Sequence, residues 1–133
     1  MSLAVVDASV LVAFYAAGDP RRDTVTARLA VGDALFAPAH LDAEIVAALR
    51  GLSRPNAALR AAVPGALRHL ARFPVRRMHV APLLQRIWEL RESLTAYDAA
   101  YVALAERLDG PLITCDGRSV AAAGPRCAFE LIS

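Results

Sequence analysis

Leu3-Ala4-Val5-Val6-Asp7-Ala8-Ser9-Val10-Leu11-Val12, residues 3 to 12, is a short apolar run that ends on an acid and passes at once into a helical pattern. Four apolar residues bounded by a charge suit a strand buried on both faces, the kind that parallel sheets covered by helices require. The design returns late in the chain, where Leu112-Ile113-Thr114-Cys115 leads into Asp116, Gly117 and a short Ala-rich segment. In open α/β sheets ligands bind outside the carboxyl ends of the strands, so two strands that each end on Asp set two carboxylates on one rim. Each Asp equally suits a turn or a helix N-cap, and for either one alone both readings stay open.

Working outward, the pattern predicts strands at about 3–6, 34–37, 77–80, 111–115 and 127–131. Helices are expected near 9–17, 21–31, 39–52, 56–73, 82–93 and 96–108, with a short one after 117. Strands alternating with helices mean an α/β fold with a mostly parallel central sheet. At 133 residues the chain is expected to form a single domain over 1–133. Pro55, Pro64, Pro74 and Pro82 punctuate the middle, where the boundaries are hardest to place.

Two further acids fall where helices would aim them inward. The segment Leu94 to Leu108 reads as an amphipathic helix with Leu94, Tyr101, Val102, Ala105 and Leu108 on one face, and Asp98 falls near the middle of that face. A charge there needs a partner. Thr95-Ala96-Tyr97-Asp98 also fits a capping box, which would occupy Asp98 at the helix start without excluding a second role. Glu44 sits at the edge of a stripe made by Leu41, Ile45, Ala48, Leu49 and Leu52, where a carboxylate is often simply solvated. If Asp7, Glu44, Asp98 and Asp116 converge, they repel. Two carboxylates about 6 Å apart oppose each other by roughly 3 kcal/mol at an effective dielectric near 20. Protons or a cation must then remove the charge, and an all-oxygen donor set selects a hard ion such as Mg²⁺ or Mn²⁺.

The pieces V-V-D-A-S-V-L-V (Val5 to Val12), P-A-H-L-D-A-E-I-V-A-A-L-R (Pro38 to Arg50), L-T-A-Y-D-A-A-Y-V-A-L-A-E-R-L (Leu94 to Leu108) and P-L-I-T-C-D (Pro111 to Asp116) stand in this order. In order and spacing the chain resembles the PIN-domain ribonucleases, most closely the VapC toxins of VapBC toxin–antitoxin pairs. The resemblance implies a three-layer α/β/α fold and a metal-dependent endoribonuclease that hydrolyses RNA phosphodiester bonds. It implies that Asp7, Glu44, Asp98 and Asp116 bind Mg²⁺ or Mn²⁺, with the hydroxyls of Ser9 and Thr114 in support. It further implies a homodimer and a VapB-type antitoxin that lays a basic side chain against the carboxylates. Some relatives carry Asn where this chain has Ala47, and a further acid or Asn where it has Gly117, Arg118 and Ser119. Those departures leave open whether one metal or two is held. Two other classes stay open: a PIN scaffold that binds nucleic acid or protein without catalysis, and a DNA or flap nuclease of the same fold.

Composition excludes several rivals. All fifteen basic residues are Arg, so the Lys that P-loop NTPases, receiver domains and HAD-type phosphatases rely on is missing. The D-x-D of the phosphatases is missing too, since position 9 is Ser. Between Glu44 and Glu89 there is no acid but there are eight arginines, a basic middle third hidden in a net charge of +2. Guanidinium forks pair with phosphate, so Arg50, Arg54, Arg76 and Arg77 are candidates for holding the RNA backbone, against the alternative of a solvated helix face. The aromatics are expected mostly in the core. Hydrophobic content of 56% and a mean hydropathy of +0.39 point to a sheet covered on both faces or to a subunit interface. No apolar run is long enough for a membrane span, and the first residues do not read as a signal peptide. Cys115 and Cys127 suit reduced, buried thiols in a cytoplasmic protein.

Overall fold

The computed structural model describes residues 2–133. At its centre is a five-stranded sheet of β1 (Leu3–Val6), β2 (Ala34–Pro38), β3 (Val75–Met78), β4 (Leu112–Thr114) and β5 (Phe129–Leu131). The order is β3-β2-β1-β4-β5 and every pairing is parallel. Flanking it are α1 (Ala8–Tyr15), α2 (Arg22–Leu29), α3 (Leu41–Ser53), α4 (Ala57–Ala71), α5 (Leu84–Glu89), α6 (Ala96–Leu108) and α7 (Gly117–Ala121). This is the expected α/β/α architecture, with a sheet that is parallel throughout. The central strands explain it: Ala4, Val5, Val6, Leu112, Ile113 and Thr114 are all buried. Such strands leave no face for water.

Four expectations shift. The third strand begins at Val75, two residues early, because Val75 pairs with Leu35 while Arg76 and Arg77 lie opposite Phe36 and Ala37. An edge strand tolerates such charges and gains protection from them. The helix expected over 82–93 is a 3₁₀ turn, Ala81–Leu83, followed by the short α5. In α3 the buried residues are Leu41, Ile45, Leu49 and Ser53, and Leu52 is 48% exposed. α3 packs against both α1 and α4. Finally, α6 has no single apolar face: Ala99 to Ala105 are buried without a break. It lies against β1, β2 and β4 and also against α5 and the 3₁₀ turn. Four alanines among those seven residues allow the close approach.

Two aromatics also differ from expectation, since Trp88 and Tyr97 are exposed, Trp88 with the Arg91 guanidinium 4.3 Å from its ring centroid. Cys115 and Cys127 are free and partly buried. Among the described residues no helix is long and apolar enough to cross a membrane.

Candidate active site

The strand order reverses at β1, whose neighbours β2 and β4 lead to opposite edges of the sheet. A parallel sheet opens a crevice at such a switch point, outside the carboxyl ends of its strands. Asp7 follows β1 directly, Asp116 stands two residues past β4, and Glu44 lies in the first turn of α3, which follows β2. Asp98 comes from the first turn of α6. All four line one cleft of about 310 Å³, together with Ser9, Arg21, Tyr101 and Arg118.

Asp7 is buried. As N-cap of α1 its side chain makes no capping hydrogen bond, so its oxygens are available to hydroxyl donors. Ser9 Oγ donates to Oδ1 and Thr114 Oγ1 to Oδ2. Ser9 Oγ in turn accepts the Cys115 N–H at 2.9 Å, and Thr114 Oγ1 accepts the Asp116 N–H at 2.9 Å. A hydroxyl has one proton, and two backbone amides thus direct both protons onto Asp7. Burial pushes the Asp7 carboxyl up to about 6, against the pull of those hydrogen bonds and with a further push from the Asp98 charge.

The other acids sit in different fields. Glu44 Oε1 accepts the Tyr101 hydroxyl at 2.7 Å and lies 2.9 Å from His40 Nε2. Burial raises its proton affinity, but His40 and Tyr101 together outweigh this and hold the carboxyl below its ordinary value. Burial also raises the Tyr101 phenol, with the Glu44 charge adding to it. Asp98 is half-buried and its carboxyl is pushed up, first by burial and then by the charges of Asp116 and Glu44, against hydrogen bonding from Thr95. Thr95 caps α6 by accepting the Asp98 backbone N–H at 3.1 Å, which leaves the Asp98 carboxylate facing the cleft. Asp116 is gripped by Arg118: Nε reaches Oδ1 at 3.0 Å, Nη2 reaches Oδ2 at 2.9 Å, and the Arg118 backbone N–H donates to Oδ1 at 3.0 Å. That grip holds the Asp116 carboxyl below the usual carboxylate range. Arg21 is committed to Asp19 through Nε at 3.0 Å and Nη2 at 2.9 Å.

The donors in the cleft wall are carboxylate and hydroxyl oxygens, which suit a hard divalent cation. Among the described residues no three His, Cys, Asp or Glu side chains are gathered tightly enough to ligate one ion as they stand. Asp7 is engaged instead by Ser9 and Thr114, Glu44 by Tyr101, and Asp116 by Arg118. The basic candidates divide. Arg50, Arg54 and Arg76 are exposed. Arg77 is not free: it clamps Asp42 with Nε at 3.1 Å and Nη2 at 3.0 Å and donates to the carbonyls of Leu70, Phe73 and Val75. It is a fastener between α3, α4 and β3, which removes it from the basic surface. The sequence reading missed His40, Tyr101, Arg21 and Arg118. The first two had a signal, since His40 is one helical turn before Glu44 and Tyr101 is three residues after Asp98.

The PIN domain model matches residues 4–124. Ribonuclease VapC12 of Mycobacterium tuberculosis is 37% identical over 134 residues, covering 97% of this chain and 98% of its own. Ribonuclease VapC3 of the same organism is 43% identical over 114 residues, covering 86% and 82%. Among solved structures, the sarcin-ricin-loop-cleaving toxin VapC20 of Mycobacterium tuberculosis superposes with a TM-score of 0.68 at 25% identity, covering 89% of this chain and 93% of its own. VapBC2 from Rickettsia felis, bound to a DNA fragment from its promoter, shares the fold with a TM-score of 0.66 at 12% identity, covering 98% and 99%. The chain belongs to the PIN-domain family, among the VapC ribonucleases. Enzymes of this family work with a divalent metal.

Proposed function

We propose that the 133 residues act as one catalytic domain, an endoribonuclease toxin that hydrolyses RNA phosphodiester bonds at the Asp7, Glu44, Asp98 and Asp116 cleft. One observation carries the reading: four carboxylates from four separate segments line one cleft at the switch point of a parallel sheet. Nothing in the packing of a small domain requires four acids there, and their mutual repulsion argues for a cation.

The four carboxylates would hold Mg²⁺ or Mn²⁺. When bound, such an ion supplies Lewis-acid polarisation and offsets negative charge on the phosphate being cut. Ser9 and Thr114 fix both oxygens of Asp7, so a ligand that is costly to ionise is at least rigidly aimed. Tyr101 and His40 keep Glu44 ionised and oriented. Asp98 and Asp7, whose charges burial disfavours, would be relieved most by a cation. The exposed Arg50 on α3, Arg54 at its C-cap and Arg76 on β3 would contact the RNA backbone, since exposed guanidinium groups bind phosphate without reading sequence. A VapB-type antitoxin is the expected inhibitor, a homodimer the expected assembly and the cytoplasm the expected location.

The test is cleavage of total cellular RNA by the purified protein with Mg²⁺, with Mn²⁺ and with EDTA, alongside Asp98→Asn. Discrete fragments that need metal and vanish in the variant are expected. Fragments that persist unchanged in EDTA, or in Asp98→Asn, would refute the assignment.

A further inference from the structure

Arg118 is the most exposed partner in any contact of the cleft. Its side chain is 89% accessible, yet both oxygens of Asp116 are taken by its guanidinium and Oδ1 also by its backbone N–H. Oδ1, with two donors on its two lone pairs, has none left for a ligand, and Oδ2, with one donor, keeps one. Arg21 makes the same fork, with its own backbone N–H, onto Asp19, which is not one of the four cleft acids; the partly buried arginines are held differently. Arg77 is tied to three carbonyls as well as to Asp42, and Arg28 and Arg86 are each partly buried and shared between two acids. For Arg118 no such anchor exists among the described residues: the Asp116 carboxylate is the only group it grips. Its charge also reaches Asp98 across the cleft. Arg21, the other cation in the wall, is committed to Asp19.

Resting on the reading of Asp116 as a metal ligand, we propose that Arg118 is an internal counter-ion that competes with the divalent cation for Asp116. The guanidinium occupies the carboxylate. An entering ion must break that fork and then meets a positive charge beside it, so the arginine swings into solvent, which its exposure allows. The affinity for metal is thereby set lower than the four carboxylates alone would give. Ion pairs this exposed are weak, so the competition amounts to no more than roughly fivefold in affinity.

The test is calorimetric titration of Mn²⁺ into the parent protein, Arg118→Gln and Arg107→Gln, at low and high salt. Arg107 is exposed on α6, so its loss changes the net charge equally without touching the cleft. The expected result is binding about fivefold tighter in Arg118→Gln only, with the advantage shrinking as salt screens the pair. Binding detectable only in Arg118→Gln would show the same competition more strongly. Equal affinities in all three proteins, weaker binding in Arg118→Gln, or the same gain in Arg107→Gln would overturn it. No binding by any of the three would instead overturn the metal-centre reading on which the proposal rests.

Discussion

Replacing Asp7 by Asn in metal-free protein changes how stability depends on pH, by an amount set by burial. The Asp7 carboxyl moves from 3.8 to about 6 on folding, with desolvation the largest cause. A tenfold change in proton affinity is worth about 1.4 kcal/mol, so ionised Asp7 costs the fold roughly 3 kcal/mol. The folded state binds more protons than the unfolded one between those two values. Stability from this group is therefore present at low pH and lost as pH rises through about 6. Roughly half of it, about 1.4 kcal/mol, disappears between about pH 5 and pH 8. Asn does not titrate and removes that slope. It also leaves one of the two hydroxyl donors, Ser9 or Thr114, facing an amide nitrogen, which costs about 1 to 3 kcal/mol at every pH. The comparison therefore lies in the slope rather than the level. Urea denaturation of both proteins in EDTA at about pH 5 and pH 8 should show the parent losing about 1.4 kcal/mol relative to Asp7→Asn. Identical pH dependence in the two proteins would mean that Asp7 is not held against its charge, and the argument for a cation at that position would fall.

Asp98→Asn should leave a folded, inactive protein, because Thr95 caps α6 by accepting the backbone N–H of residue 98, which Asn keeps. Its melting temperature without metal should equal or exceed the parent's, and a large drop would count against a cleft role. Arg77→Ala should cost about 2 to 3 kcal/mol in urea denaturation, since it strands three carbonyls and Asp42, while Arg76→Ala should stay within about 0.5 kcal/mol. In RNA binding the order reverses: Arg76→Ala should lower the slope of log affinity against log salt by about one, and Arg77→Ala should not. Tyr101→Phe should cost about 1 kcal/mol and weaken Mn²⁺ binding, because Glu44 loses a 2.7 Å donor that helps to keep it ionised. Unaltered Mn²⁺ affinity in that variant would separate Tyr101 from the site.

Much of this was legible from local pattern. Asp7 and Asp116 end apolar strands, and the chemistry of a parallel sheet says where such ends meet. Asp98 was readable as a charge on a buried helix, although α6 is buried all round and the face assigned to it was too narrow. Glu44 at the edge of a stripe was indistinguishable from a solvated acid, and only the resemblance of its segment to a known family singled it out. Arg77 shows the limit most clearly. In sequence it is the twin of Arg76, but alternation along β3 sends one side chain outward and the other to Asp42 and the end of α4. Register on an edge strand decides that difference, and Arg76 and Arg77 themselves blurred where β3 begins. Arg118 was unreadable for a related reason, because a fork onto an acid two residues away depends on the turn between them.

The central claim is that the cleft of four carboxylates is a divalent-cation site. The most direct test is a crystal structure of the parent protein with Mn²⁺, read by anomalous scattering. The account predicts a peak in the cleft at about 2.0 to 2.4 Å from carboxylate oxygens that include Asp7 and Asp116, with Arg118 displaced. A Mn²⁺ peak bound elsewhere, or an empty cleft at saturating Mn²⁺ with the Arg118 grip intact, would contradict it.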